Sequence, residues 1–380
     1  MWPRGGGVFG VGGSRISNSH RWTGWFRARR WRGAVVLGTG DSLKEALALL
    51  RVLAPQGVEG ISAFDTAADA PPTARVHGIV VRPLPERADL IMNAPHPSGR
   101  IVIVAVDSDR VRWLLREVGL RLGTRDRVMD LVNLYEWVLG RVPLRHVGGE
   151  WTGRANARIE SLYGRRIKGI LDRVLAAIGL VVLVPFGALI GVWIKLDSKG
   201  AVFYGQACVG RDGERFEQLK FRTMRADAEA VTGPVWSQPG DPRITRAGRW
   251  LRRFRLDELP QLWNVLRGDM SLVGPRPERP FFVQRLSREI PHYEDRLRVL
   301  PGITGWAQVR FPYTYDLRGG RRKLEYDLYY IAHRTAWLDF KILLWTVVTI
   351  LLGDERRVWG DWRAEAFNGL LEEASESCPG

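Results

Sequence analysis

At 380 residues the chain has room for two or three domains and a sizeable buried core. Its 57 Lys and Arg outnumber 41 Asp and Glu, giving a formal net charge of +16, so the partners it suits are anionic: a phosphorylated substrate, acidic lipid headgroups or nucleic acid. The two cysteines, Cys208 and Cys378, and six scattered histidines (His20, His77, His96, His146, His292 and His333) follow no metal-ligand spacing, which argues against a zinc centre and for a reducing compartment.

Residues 1–33 are rich in Gly, Arg and Trp and contain no acid. They read as a disordered basic arm; an anchor at the membrane surface is the other reading, but no helical period organises the aromatics. No signal peptide is evident, since a clean apolar stretch is missing there. From 34 to 135 short apolar runs alternate with amphipathic stretches. Ala34-Val35-Val36-Leu37, Gly78-Ile79-Val80-Val81 and Ile101-Val102-Ile103-Val104 predict buried parallel strands, with helices over Asp41 to Leu53 and Asp107 to Gly119. That alternation predicts a small doubly wound, Rossmann-like α/β domain. The turn Gly38-Thr39-Gly40 opens a dinucleotide fingerprint, but Leu43 holds the third glycine position, so the fingerprint is incomplete.

Residues 136–167 read as a connector with a basic end, Arg165-Arg166, followed by Lys168. Val174 to Leu196 is the most apolar stretch, 23 residues with no charge before Lys195, long enough to cross a hydrocarbon core. Pro185 near its middle predicts a kink, and basic residues flank both ends. Positive charge at both ends favours one side of the membrane for both, so the segment is expected to enter, bend at Pro185 and return. A buried core helix is the alternative. Trp337 to Leu352, interrupted by Asp339 and Lys341, reads as a helix lying in the interface, and residues 356–380 as a tail.

The densest run is Arg249 to Glu278. Arg249, Arg252, Arg253 and Arg255 precede the acidic pair Asp257-Glu258, and Gly274-Pro275-Arg276-Pro277 presents one Arg on a stiff backbone. Phosphoryl chemistry needs such cations, a positioned nucleophile and commonly a divalent metal. Pro260 suits a first helical turn, which makes Asp257 a candidate cap or first-turn residue at the positive end of a helix. An ordinary N-cap aspartate with a surface glutamate fits this stretch equally well.

Residues 168–352 resemble the bacterial sugar transferases that act as monotopic phosphoglycosyl transferases. The resemblance rests on Lys195-Leu196-Asp197-Ser198 with Gln206, Lys220-Phe221-Arg222-Thr223-Met224, and Asp241-Pro242-Arg243-Ile244-Thr245. It continues through Leu256-Asp257-Glu258-Leu259-Pro260-Gln261-Leu262, Ser271 to Pro277, and Pro301 to Val309. Gly233-Pro234-Val235-Trp236, Arg276-Pro277-Glu278-Arg279-Pro280 and Lys323 to Tyr330 are further similar to the exopolysaccharide subgroup associated with exosortase systems, as is the connector from Tyr135 through Leu144. Larger members of the family carry membrane helices ahead of the α/β domain; this chain shows none, which calls its start into question.

The resemblance implies an α-rich α+β monotopic transferase domain over 168–355 with a re-entrant helix over 174–196 kinked at Pro185. It also implies transfer of a sugar-1-phosphate from a UDP-sugar to undecaprenyl phosphate, through a covalent aspartyl phospho-sugar with release of UMP. Asp257 would be the nucleophile and Glu258 its partner, as base toward the lipid phosphate or as a ligand, with Asp257, of Mg²⁺. Lys220, Arg222, Arg252, Arg276 and Gln308 would bind substrate. The implied setting is the cytoplasmic face of a bacterial inner membrane, with membrane lipids as partners, no nucleic acid, and room for a homodimer.

Overall fold

The computed structural model describes residues 34–53, 61–65, 74–76, 79–83, 101–105, 127–228, 240–311 and 316–352, together with Phe367 and Leu370. The expected arm over 1–33, the helix over Asp107 to Gly119 and the motif Gly233 to Trp236 lie outside the described residues. The chain forms two compact units, one of 1–140 with 362–380 and one of 141–361.

The first unit is built on strands β1 (Ala34–Gly38), β2 (Ile61–Asp65), β3 (Ala74–Val76), β4 (Ile79–Pro83), β5 (Ile101–Ala105) and β6 (Arg127–Asp130), with helices α1 (Gly40–Leu53) and α2 (Leu131–Leu139). The sheet order is β3-β4-β2-β1-β5-β6. Five strands run parallel and β3 is an antiparallel edge. Ala34 to Leu37 are buried throughout, as an unbroken apolar run in a doubly covered parallel strand should be. The three strands expected from apolar runs and the helix after β1 are all present. Phe367, from the segment expected as a tail, is buried in this core with its ring edge-on to Tyr135 at 5.3 Å.

The second unit is mostly helical: α3 (Gly149–Ile159), α4 (Lys168–Asp197), α5 (Arg246–Arg253), α6 (Gln261–Arg267), α7 (Pro280–Glu289), α8 (Trp306–Arg310), α9 (Leu317–His333) and α10 (Ala336–Leu352). Two small sheets complete it, the antiparallel hairpin β7 (Phe203–Val209) with β8 (Arg215–Phe221), and the parallel pair β9 (Ser271–Val273) with β10 (Gly302–Thr304). Residues 136–167 are not a bare connector. The end of α2 covers the first sheet, while α3 buries Trp151 and Ala155 in the second core, with Trp151 Nε1 donating to the Leu328 carbonyl at 3.4 Å.

Helix α4 is continuous over 30 residues with Pro185 inside it, about 45 Å at the α-helical rise. One stripe, Ala176, Gly179, Leu183, Gly187, Ile190 and Ile194, lies against the unit, touching Leu262, Phe221 and Val202. The opposite face is bare hydrocarbon, with Val181 75% and Leu189 70% exposed. Among the described residues it is the one helix long and apolar enough to cross a membrane. Helix α10 repeats the pattern: Trp337, Phe340, Leu344, Val347 and Leu351 form an exposed stripe at helical spacing, while Ile342 and Asp339 are buried.

Both ends of α4 are tied to the same unit. At its foot Lys168 Nζ meets Asp339 Oδ2 at 2.6 Å and Asp172 Oδ2 at 3.4 Å, and Ser271 Oγ donates to Asp172 at 2.6 Å. Tyr330 and Tyr163 hydroxyls also donate to Asp339. At its far end Asp197 accepts from the Ala247 N–H at 2.9 Å. Removing one partner of a buried pair strands the other, so Asp339→Ala should lower unfolding free energy by about 3 kcal/mol. The double variant Lys168→Met with Asp339→Leu should recover part of that loss in detergent-solubilised thermal unfolding. A loss for Asp339→Ala within about 0.5 kcal/mol would mark the network as no stronger than a surface pair.

Candidate active site

Four short elements converge on Asp257 and Glu258. Helix α5 begins at Thr245, whose hydroxyl accepts from the Gly248 N–H at 3.0 Å. Gly248 sits so close to the preceding strand that an added Cβ would lie 2.1 Å from the Thr223 carbonyl oxygen, so only glycine lets α5 dock there. That docking brings Arg252 Nε to Thr223 Oγ1 at 2.9 Å. Arg255 then takes a left-handed conformation (φ 51°), which ends α5 and starts the 3₁₀ turn Leu256–Glu258 carrying both carboxylates. Leu256 and Leu259, on either side of the pair, pack against the cluster of Ile194, Phe221 and Leu251, as do Leu183 and Ile190 of α4. The site therefore lies beside the C-terminal half of the apolar helix.

Arg276 comes from the turn after β9. Gly274 permits it, since a Cβ there would lie 2.5 Å from the Leu300 carbonyl oxygen. Its guanidinium reaches Glu258 Oε1 at 2.7 Å, and its own carbonyl is held by Arg296 NH2 at 2.7 Å. Lys220 arrives from β8 and donates to Gln206 Oε1 at 3.3 Å across the hairpin. Glu258 is thus a buried, ion-paired group and not a surface glutamate.

The two adjacent carboxyls are pushed in opposite directions. Burial would raise Glu258, but the Arg276 guanidinium, with Arg255 and Lys220 behind it, outweighs burial and holds it at about 2. Asp257 is raised above the usual aspartate value, by burial first and then by the charge on Glu258, against the pull of Lys220, Arg252 and Arg276. Lys220 is lowered, by burial and then by Arg276. The result is a carboxylate kept high in free energy among cations, beside one kept firmly ionised.

Of the residues expected to bind substrate, Lys220, Arg252 and Arg276 act on Asp257 electrostatically. Arg222 does not join them. Its guanidinium donates to the Ser198 carbonyl at 2.7 Å, the Ser198 hydroxyl at 3.1 Å and the Lys199 carbonyl, so it clamps the C-terminal end of α4, where a cation meets helix carbonyls. Gln308 lies on α8, with Nε2 donating to the Ile303 carbonyl at 3.1 Å, and shares a cavity wall with Arg276. Pro185 lies in α4. Asp257 precedes α6 by a 3₁₀ turn and Pro260 occupies the cap position, so Asp257 is not the N-cap residue.

No group of three or more His, Cys, Asp or Glu side chains suited to a metal occurs among the described residues. Asp257 and Glu258 are of the donor type Mg²⁺ takes, one or two carboxylates with the shell completed by water and substrate phosphates. Sequence reasoning missed Thr223, which orients Arg252, and the paired charges behind Arg276, Arg296 with Asp327 at 3.0 Å and Lys323 with Glu278. Their motifs were visible; the pairing, across 31 and 45 residues, was not.

Residues 163–353 match the bacterial sugar transferase family. A UDP-N-acetylgalactosamine-undecaprenyl-phosphate N-acetylgalactosaminephosphotransferase of Aeromonas hydrophila is 41% identical over 226 residues, 60% of this chain and 52% of the relative. A UDP-glucose:undecaprenyl-phosphate glucose-1-phosphate transferase of Caulobacter vibrioides is 43% identical over 196 residues, 49% of this chain and 70% of the relative. A UDP-galactose-lipid carrier transferase of Erwinia amylovora is 31% identical over 350 residues, 86% of this chain and 70% of the relative. The chain spans about half the length of the Aeromonas relative. With half of its residues in the matched segment and 70% of two relatives covered, the chain belongs to the bacterial sugar transferase family.

Proposed function

We propose that the protein transfers a sugar-1-phosphate from a UDP-sugar to undecaprenyl phosphate at the cytoplasmic face of a bacterial inner membrane. The observation that carries this reading is Asp257, raised in free energy and set among Lys220, Arg252 and Arg276, on a turn packed against the apolar helix α4. The names of the relatives supply UDP-sugar and undecaprenyl phosphate as substrates.

In the first step an Asp257 oxygen attacks the β-phosphorus of the UDP-sugar. The bond from that phosphorus to the bridging oxygen breaks, and UMP leaves with the bond pair, giving an aspartyl phospho-sugar. A phosphate oxygen of the lipid then attacks the same phosphorus and Asp257 departs as carboxylate. Splitting one displacement into two lets each occur at one prepared centre. Lys220, Arg252 and Arg276 balance the charge on the phosphoryl oxygens in both steps. Glu258, held at about 2, is a poor base; it serves by keeping Arg276 in place. Mg²⁺, when held by Asp257 and Glu258, would neutralise diphosphate charge.

The bare faces of α4 and α10 support membrane attachment, and the anchoring of both α4 ends to one unit supports a re-entrant path bent at Pro185. For the first unit, the parallel strand order supports a Rossmann-like reading, with any ligand lying beyond the carboxyl ends of β1 and β5.

Asp257→Asn should cut UMP release from a UDP-sugar by about 10³-fold or more, as loss of a nucleophile does; turnover near wild type would remove Asp257 from that role. The pH profile of kcat/KM should fall on the acid side above the ordinary aspartate range, because the raised Asp257 gains its proton as pH drops through its own value. Glu258 stays ionised down to about 2 and is not that limb. The alkaline side should fall below the ordinary lysine range as the lowered Lys220 loses its proton, and an acid limb at ordinary aspartate values would contradict the assignment. For topology, single cysteines placed at Gly169 and Lys199 should react with a membrane-impermeant maleimide from the same side in sealed vesicles; labelling from opposite sides would establish a span.

A further inference from the structure

Among the described residues β8, which carries Lys220, has a strand beside it on one edge only, β7. An open strand edge leaves backbone N–H and C=O groups without partners. On this edge one side chain from α6 fills the gap. Asn264 is fully buried; its Oδ1 accepts from the Leu219 N–H at 3.0 Å, and its Nδ2 donates to the Glu217 carbonyl at 2.7 Å. A carboxamide offers an acceptor and a donor side by side, as a peptide group does, so it takes the place of a third strand over these residues. The amide has one good orientation, because Nδ2 also faces a second acceptor, Asp269 Oδ2 at 3.3 Å. Its base is fixed too: the Asn264 carbonyl accepts the N–H groups of Gly268 and Asp269 at 3.1 and 3.0 Å where α6 ends.

Helix α6 brings the carboxylates to this edge. It follows the 3₁₀ turn of Asp257 and Glu258 with only Leu259 and Pro260 between, and its Leu262 presses on α4, 3.0 Å from where a Cβ on Gly179 would lie. Leu219 in turn is one Cα step, about 3.8 Å, from the residue bearing the proposed phosphate cation. The bond from Lys220 to Gln206, at 3.3 Å, lies within the hairpin and so cannot fix the hairpin against the turn. Thr223 docks the far end of the strand on α5, and Asn264 pins the strand on the other side of Lys220. We infer that Asn264 is a positioning residue for Lys220: by standing in for a strand on β8 it sets the distance between the Lys220 ammonium and the Asp257 carboxylate. This rests on the UDP-sugar reading above, in which Lys220 meets the phosphoryl oxygens, and adds an uncharged residue on which that encounter depends.

A double-mutant cycle on the full chain in lipid nanodiscs separates this role from simple support of the fold. Release of radiolabelled UMP is followed with UDP-glucose, UDP-galactose and UDP-N-acetylgalactosamine, which keeps slow variants measurable, and rates are corrected for the folded fraction. Asn264→Ser shortens the side chain and breaks the pair of bonds, so kcat/KM should fall about 10- to 100-fold, as a small misplacement of a catalytic group does. In a Lys220→Met background the same change should cost less than about 2-fold, because the group being positioned is gone. Should Asn264→Ser not fold, Asn264→Asp combined with Asp269→Asn trades the two groups and keeps an acceptor for Leu219; it should show a smaller fall with the same dependence on Lys220. Wild-type turnover in Asn264→Ser, or an equal fall with and without Lys220, would overturn the positioning role alone. Amide exchange at single-residue resolution needs no turnover. Leu219 should exchange as slowly as the β7–β8 ladder in the wild type, and exchange at the rate of an open edge would overturn the clamp. A wild type that protects Leu219 but releases UMP from none of the three sugars would overturn the underlying reading instead.

Discussion

Helix α4 carries more than two dozen residues of mostly apolar sequence, and one full side of it has no protein against it. Apolar surface costs about 25 cal/mol for each Å² left in water, so that face calls for an apolar cover, which on the proposed reading is the membrane. The other face cannot drift away from the catalytic unit. Small residues, Ala176, Gly179 and Gly187, let the unit approach the helix closely, and ion pairs and hydrogen bonds hold it at either end. The consequence for chemistry is positional. The turn bearing Asp257 and Glu258 packs through Leu256 and Leu259 on residues that also touch this helix, so the depth of α4 sets the height of the carboxylates.

Adjacent carboxylates of similar intrinsic acidity would compete for the same cations if nothing distinguished them. The 3₁₀ turn supplies the distinction by sending Glu258 toward Arg276 while leaving Asp257 half-buried with longer-range attraction only. Arg276 is in turn fixed through its backbone by Arg296, itself paired with Asp327 in a fully buried position. Such buried pairs stabilise little on net account, because desolvation offsets much of their attraction. Their value here is geometric: each lies behind the next, and the last in the chain holds a guanidinium on Glu258, beside Asp257.

Much of this could be read from residue order alone. Strands β1, β4 and β5 are announced by continuous β-branched runs, α4 by its lack of charge, and the carboxylate pair by its Arg-rich approach. What escaped depends on pairing over long separation. Arg222 sits two positions from Lys220 in one motif, yet it turns to the end of α4 because Ser198 and Lys199 leave helix-terminal carbonyls in need of donors. Nothing local in the motif carries that information. Residues 136–167 likewise looked like a linker because their apolar positions are few, but one Trp, Trp151, buries enough area to seat α3 in the second core.

On the proposed route, the same cation set would receive two different anions in turn, a nucleotide diphosphate and then a lipid phosphate. A site that gripped the first too tightly would not release UMP, since binding that is equal in ground and transition states does not speed the chemical step. The arrangement of charges eases this. Arg276 is already compensated by Glu258, so it does not present an unpaired charge to a resting phosphate. The uncompensated demand is on Asp257, whose ionised form is destabilised by burial and by its neighbour. On the proposed two-step route, forming the aspartyl phospho-sugar moves that charge from the buried carboxylate onto phosphoryl oxygens that Lys220, Arg252 and Arg276 can meet. In that scheme the second displacement would return the charge to Asp257, and the incoming lipid phosphate would supply the drive by meeting the cations that UMP had vacated.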